Sequence, residues 1–299
     1  MSVPVAYLSI ILIWSTTPLA IQWSTEGNGF LFAVTARMMI GVVICLLLML
    51  VFRVKLPLYR EARLTYFAGG LGIFGAMSCV YWGALYIPSG LIALLFGLQP
   101  IITSLTAAFW LNERSFTLNK VLGALLGLLG LVAIFGSGLS VGVHVGAGVG
   151  VVLLAVVLQS VSLVWVKRIG ADLPALSVTS GALIVAVPLF ALSWALVDGT
   201  VPVSLVPRAG WSIVYLGVFG SVVGFNLYFY IIKRLEAGQT ALITLITPVS
   251  ALMLGHVLNG EKIQSAVWIG TVCILCGLML HQWQVLSTGL QRVRIRRQK

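Results

Sequence analysis

Apolar positions run through this chain in long unbroken blocks, with no alternation of apolar and polar faces inside them. Blocks of about 20 residues, the length that crosses a bilayer as a helix, fall at roughly 3–23, 30–52, 64–83, 89–111, 118–136, 147–167, 175–197, 211–232, 239–258 and 264–285. Polar residues collect in the short connections, which leave no room for a soluble domain. In hydrocarbon every backbone donor and acceptor must be satisfied inside the segment, so such blocks are helices. The expected fold class is an all-α integral membrane protein with ten transmembrane helices.

Two blocks share a pattern. Ser89 to Glu113 reads SGLIALLFGLQPIITSLTAAFWLNE and Ala237 to Glu261 reads AGQTALITLITPVSALMLGHVLNGE. A shift of 148 residues lays Gly90 on Gly238, Pro100 on Pro248 and Glu113 on Glu261. With a slightly smaller offset, Trp14 and Ser15 of ILIWSTT meet Gln159 and Ser160 of VVLQSVS. Each half then holds five helices, and an odd number requires the halves to enter the bilayer from opposite sides, as an inverted repeat. The expected units are residues 1–140, 141–287 and a basic tail, 288–299. Matched proline-interrupted helices in two halves are a sequence pointer to a transporter's binding site. Each proline lacks an N–H and releases the carbonyl four residues earlier, those of Phe96 and Thr244. Pro18 is a third expected kink.

Charge sharpens the topology. Only 8% of residues are charged, 60% are hydrophobic, mean hydropathy is +1.10 and the net charge is +11. Arg53, Lys55, Arg60, Arg63, Arg114, Lys120, Lys167, Arg168, Lys233, Arg234 and the tail cations lie in one set of loops. The opposite set holds Arg208 and Lys262. The positive-inside rule then puts both termini in the cytoplasm, and makes the tail RVRIRRQK a topology anchor rather than a nucleic-acid arm; the expected location is a plasma (bacterial inner) membrane. The N-terminus, apolar from Val3, reads as the first spanning helix. Of nine tryptophans, only Trp14 falls at mid-membrane; the others sit near helix ends, as interfacial belts do. Cys45, Cys79, Cys273 and Cys276 lie in apolar blocks and read as packing residues.

The W-S of the first helix (Trp14, Ser15), the G-x-x-A-L with a later proline in the fourth and ninth, and the glutamates just beyond them (Glu113, Glu261) resemble the drug/metabolite transporter superfamily, in particular its EamA-type ten-helix members. The resemblance spans essentially the whole chain. It implies two five-helix repeats around a central cavity that moves small metabolites, commonly amino acids, nucleotide-related compounds or toxic solutes, often outward. Pro18 and Gln22 depart from the pattern of the first helix.

Helical geometry selects the candidate lining. At 100° per residue, Thr240, Thr244 and Thr247 share a narrow stripe, matched on the fourth helix by Ile92, Phe96, Gln99, Thr103 and Thr106. Gln99 and Thr247 occupy the same repeat position, just before the prolines. Recurrence in both halves favours cavity lining over back-bonding within each helix. Trp14 either stacks on a substrate or fills space between helices. Gln159 and Asn226 are buried amides that need a helix partner or water. Arg37, about 10 Å inside the second helix at ~1.5 Å per residue, either holds a substrate carboxylate or reaches helix carbonyls and the interface. The expected substrate-binding set is thus Trp14, Arg37, Phe96, Gln99, Thr103, Gln159, Asn226, Thr244 and Thr247.

Other residues carry less. His256 lies off the threonine stripe and reads as an interface or packing residue, and Glu113 and Glu261 as loop or cap residues. No Asp or Glu falls inside a block, so an embedded carboxylate of the kind many proton-driven pumps use is missing; proton coupling, exchange or simple facilitation remain alternatives. The glycines from Gly123 to Gly130 suit close helix packing or a dimer surface. A zinc protease would need a motif such as H-E-x-x-H and a channel a filter or ring of charge, and neither pattern is present. No catalytic residue, metal or cofactor is expected. The expected function is a secondary transporter that exports small organic metabolites by alternating access, amino acids or related zwitterions first. Alternatives are a drug or toxic-solute efflux carrier, or a facilitator or importer of the same fold. The expected partners are a small-molecule substrate and the lipid bilayer, with no nucleic acid, in a monomer or weak homodimer.

Overall fold

The computed structural model describes residues 2–27, 29–111, 117–136, 143–202, 204–224, 226–227, 231 and 237–283. The described residues form helices joined by short turns, without a strand. In chain order they are α1 (Val3–Ser24), α2 (Phe30–Val51), α3 (Arg60–Gly83), α4 (Ser89–Phe96), α5 (Gln99–Trp110), α6 (Leu118–Gly136), α7 (Val143–Ile169), α8 (Ala175–Val197) and α9 (Pro207–Tyr215). Then follow π1, a π-helix (Leu216–Val223), α10 (Ala237–Asn259) and α11 (Ser265–His281). Six helical runs among the described residues are long and apolar enough to cross a membrane, with α4 and α5 together forming one of them. Three shorter apolar helices, Leu118–Ile134, Ile243–Asn259 and Ser265–His281, accompany them. Side chains such as Leu50, Phe109 and Leu196 stand exposed on the outside of the bundle. Large apolar groups left outward in this way are suited to lipid, and the chain is a multi-pass membrane protein.

The proline helices behave differently from one another. The first breaks between α4 and α5 at Gly97 and Leu98, just ahead of Pro100, while α10 runs through Pro248 without interruption, and α1 likewise through Pro18. The first copy is thus split into two elements, whereas Pro18 and Pro248 stand inside continuous helices. Where the first copy has Gly97, the second has Leu245. Glycine beside proline loosens a helix in two ways at once, by backbone freedom and by a missing hydrogen bond, whereas leucine favours the helix. The two helices cross at this point, since a Cβ on Gly97 would approach Pro248 Cγ to 3.3 Å.

Glycine also sets the α6–α11 pairing. A Cβ on Gly123 would meet the Gly277 carbonyl and one on Gly277 the Gly123 carbonyl, at 2.5 and 2.6 Å. Gly130 and Gly270 repeat the relation at 2.7 and 2.6 Å. Small residues let the backbones approach this closely. The glycine face that suited a dimer is thus covered inside the chain by α11.

Burial is uneven along the bundle axis. Gln22, Ser89, Arg208 and Asn259 come together at one end, the Glu261 end, while Trp110 and Trp165 meet at the other. Every α4 residue from Ser89 to Leu95 is buried, as are Pro18 to Ile21 of α1. In α5, on the Trp110 side, only Ile101 and Ala107 are buried. In this pair of elements, α4 is closely covered near the Glu261 end and α5 is more open toward Trp110.

Candidate functional site

The expected lining residues divide into groups. On α5 and α7, Thr103 donates from Oγ1 to Ser160 Oγ at 3.0 Å, next to Gln159. Gln99 and Gln159 are half-buried, and no hydrogen bond holds either amide among the described residues. Thr247 on α10 is half-buried too. Phe96 packs on the main apolar core at the end of α4, one residue before the Gly97–Pro248 crossing.

The second group surrounds the middle of α1. Trp14 packs beside Ala6, Ile10, Ile231 and Ile243, and its Nε1 would lie 3.3 Å from a Cβ on Gly224. Two residues on, Thr16 Oγ1 pairs with the Tyr215 hydroxyl at 2.6 Å. Thr244 Oγ1 accepts a long hydrogen bond from Gln282 Nε2, 3.4 Å. Asn226 donates from Nδ2 to Val222 O at 2.9 Å, so its amide is engaged by its own helix. The side chain of Thr240, Glu113 and the basic tail lie outside the described residues.

Arg37 stands apart from both groups. It is 4% exposed, donates from Nε to Ser221 Oγ at 3.1 Å and from Nη1 to the Tyr81 hydroxyl at 3.4 Å, and sits 6.0 Å from the centre of the Tyr81 ring. No carboxylate pairs with it among the described residues. The receiving surface is π1. A Cβ on Gly220 would come within 3.3 Å of Arg37 Nη2, so this glycine makes room for the guanidinium. Wide π turns recur where a functional group is inserted. The structure therefore removes the alternative in which Arg37 reaches to the interface: its head is inside the bundle, held by hydroxyls.

Sequence reasoning missed Tyr81, Tyr215 and Ser221. The available signal was a hydroxyl inside an apolar block, which in hydrocarbon must find a partner. It also gave Glu261 too little, because a carboxylate just after a helix is usually an ordinary cap. Here it caps a different helix. Ser89 N and Oγ donate to Glu261 Oε1 at 3.1 and 2.6 Å, and Gly90 N donates to Oε2 at 3.2 Å. His256 keeps a local role, with Nδ1 2.8 Å from the Glu261 carbonyl.

A recess of about 430 Å³ opens between α5, α6 and α11, lined by Leu98, Leu105, Leu125, Leu128, Lys120 and His281. None of the expected lining residues borders it. At its rim Ser104 Oγ and His281 Nε2 are 2.7 Å apart.

These features define a polytopic helical membrane protein whose described interior holds hydroxyls, amides and the buried guanidinium of Arg37. The EamA-like transporter family matches the chain over residues 3–136 and again over residues 146–281, and the chain belongs to that family. An uncharacterized transporter, YoaV of Bacillus subtilis (strain 168), is 24% identical over 276 residues, covering 92% of this chain and 94% of its own. A probable terminal-alkyne amino-acid exporter of Streptantibioticus cattleyicolor is 29% identical over 286 residues, 94% of each chain. A solved crystal structure covers 95% of this chain and 97% of its own with a TM-score of 0.67 at 23% identity, which shows a shared fold.

Proposed function

We propose that this protein is a secondary transporter that exports small zwitterionic metabolites, amino acids first, by alternating access. One observation carries the reading: the same transporter family matches both halves of the chain in turn. That double match also supports two five-helix repeats of inverted topology, with the α9–π1 run and the three shorter apolar helices completing ten spans around a central cavity. The loop charges support cytoplasmic termini and an outward Glu261 end, in what we take to be a bacterial inner membrane. The cavity residues are Gln99, Thr103, Gln159, Thr244 and Thr247, with Trp14 and Phe96 as apolar walls and Asn226 beside them. Arg37 supplies the charge for a substrate carboxylate. The class of substrate draws support from the amino-acid exporter that this chain resembles.

Purified protein in liposomes, assayed by counterflow with a panel of radiolabelled neutral amino acids, tests the reading. Saturable, trans-stimulated flux is expected, and Gln99→Leu and Thr247→Leu remove it while leaving expression unchanged. Linear flux with unitary conductance refutes a carrier. Saturable flux of a cationic dye with none of any amino acid favours the efflux alternative, and normal flux in both leucine variants refutes the cavity.

A further inference from the structure

The Glu261 end is held by a continuous set of polar contacts that belongs to no lining residue. The α4 N-terminus presents N–H groups with no partner inside the helix, and these carry the positive end of the helix dipole. The carboxylate that satisfies them comes from beyond α10, 172 positions from Ser89 and 171 from Gly90. Asn259, the last residue of α10, extends the connection. Its Nδ2 donates to Glu261 Oε1 at 3.2 Å and to Gln22 Oε1 of α1 at 3.1 Å, and its Oδ1 accepts from Trp23 Nε1 at 3.0 Å. Arg208 at the start of α9 lies 5.4 Å from the centre of the Trp23 ring and pairs with Glu26 just beyond α1. Four elements, α1, α4, α9 and α10, are thereby tied together at one end.

The backbone is fitted to this arrangement. A Cβ on Gly90 would approach Leu252 Cα to 2.8 Å, and a Cβ on Gly255 would collide with the Glu261 carboxylate and lie 2.8 Å from Ser89 Oγ. Glycine at these two places lets α4 close on α10 and leaves the carboxylate its seat. Beneath the contacts, α4 is buried on every face, while its continuation α5 is loosely covered beyond the Gly97–Leu98 break. A rigid segment clamped at its tip and hinged at its base can swing as a unit.

We propose that Glu261 is the positioning residue of the outer gate: its carboxylate holds the α4 N-terminus against α10 and α1, and releasing that hold lets α4 hinge at Gly97 and opens the bundle on the Glu261 side. The proposal rests on the carrier reading, and it assigns the gating to a residue outside the cavity. Hydrogen bonds to an ionised group are among the strongest a protein makes, so losing this set shifts the balance between closed and open forms by about tenfold or more.

The test uses the full chain with its four cysteines replaced by serine, carrying Leu91→Cys in the buried part of α4 or Thr106→Cys on α5. Membrane-impermeant maleimide is applied to right-side-out and inside-out vesicles, and flux is measured in parallel. With Glu261→Ala, Leu91→Cys is expected to react about tenfold faster from the outside, and Thr106→Cys more slowly from the inside, a reciprocal change that mere loosening would not produce. Gly255→Ala, which displaces the carboxylate without removing it, is expected to reproduce both shifts. Glu261→Gln keeps the shape and one acceptor oxygen, and is expected to give a smaller shift of the same sign. It also serves as the folded variant if the alanine forms aggregate. Unchanged Leu91→Cys reactivity in either alanine variant that folds, or in Glu261→Gln if neither does, overturns the latch, as does a rise at both positions together. A reciprocal shift without flux of any solute supports the latch and refutes the carrier reading; flux without the shift does the reverse.

Discussion

Replacing Arg37 separates a substrate-binding cation from a structural brace. On insertion scales a charged residue costs about 2.5–3.5 kcal/mol at the centre of a membrane helix, an upper bound for Arg37, which lies about 10 Å inside α2 at ~1.5 Å per residue. Arg37 recovers part of this through one good hydrogen bond, Nε to Ser221 Oγ at 3.1 Å, worth about 1.5–3 kcal/mol for a charged donor. Its second contact, 3.4 Å to Tyr81, is long enough to add little. Arg37→Met keeps the length and apolar stem, loses that bond and removes the insertion cost. The two terms nearly cancel, and stability should change by less than about 2 kcal/mol. The hydroxyls of Ser221 and Tyr81 then need other partners, and a loss within that range is the larger side of the balance. A substrate carboxylate deprived of the guanidinium loses a charged contact, which is about a 10–100-fold loss in apparent affinity. Arg37→Lys keeps the charge without the planar fork and should fall between. SDS-induced unfolding of the purified protein gives the first quantity and concentration-dependent flux in liposomes the second. If Arg37→Met costs more than about 3 kcal/mol while flux per folded molecule is unchanged, Arg37 is a brace and the binding argument is wrong.

Two other substitutions test the fold. Gly277→Val puts a side chain 2.6 Å from the Gly123 carbonyl and 2.9 Å from Gly127 N, so α6 and α11 must separate; a loss of about 1–3 kcal/mol is expected in SDS unfolding, and an unchanged value would contradict the glycine contact. Glu26→Gln breaks a pair whose side chains are 33% and 53% exposed. It should cost no more than about 1 kcal/mol and less in high salt, and a loss above about 2 kcal/mol would mean that the pair is more enclosed than its exposure indicates.

The apolar blocks determined the helices almost alone. Their starts and ends agree with the structure within a few residues in most cases, because in hydrocarbon the backbone has no alternative to internal hydrogen bonding. The repeated proline motif was equally legible, and so were the hydroxyls and amides of α5 and α10, since period and residue type are local properties. What happens at each proline was not. Pro100 and Pro248 occupy equivalent positions, yet only the first interrupts its helix, and the deciding residue is Gly97 opposite Leu245.

Partnership was decided by the tertiary structure. Nothing near Arg37 in sequence names Ser221, 184 positions away, or Gly220 beside it. Glu261 looked like a cap for its own neighbourhood and instead caps the helix that begins at Ser89, because α4 and α10 run in opposite directions and bring the start of one to the end of the other. The glycines of α6 left a dimer surface and an internal packing face both open, and α11 occupies that face. The two proline helices thus appear in the sequence as copies of one motif. Packing makes them unequal, one split at Gly97 and Leu98 and capped by Glu261, the other a continuous helix, and that inequality is a property of contacts between distant segments that no single stretch of chain contains.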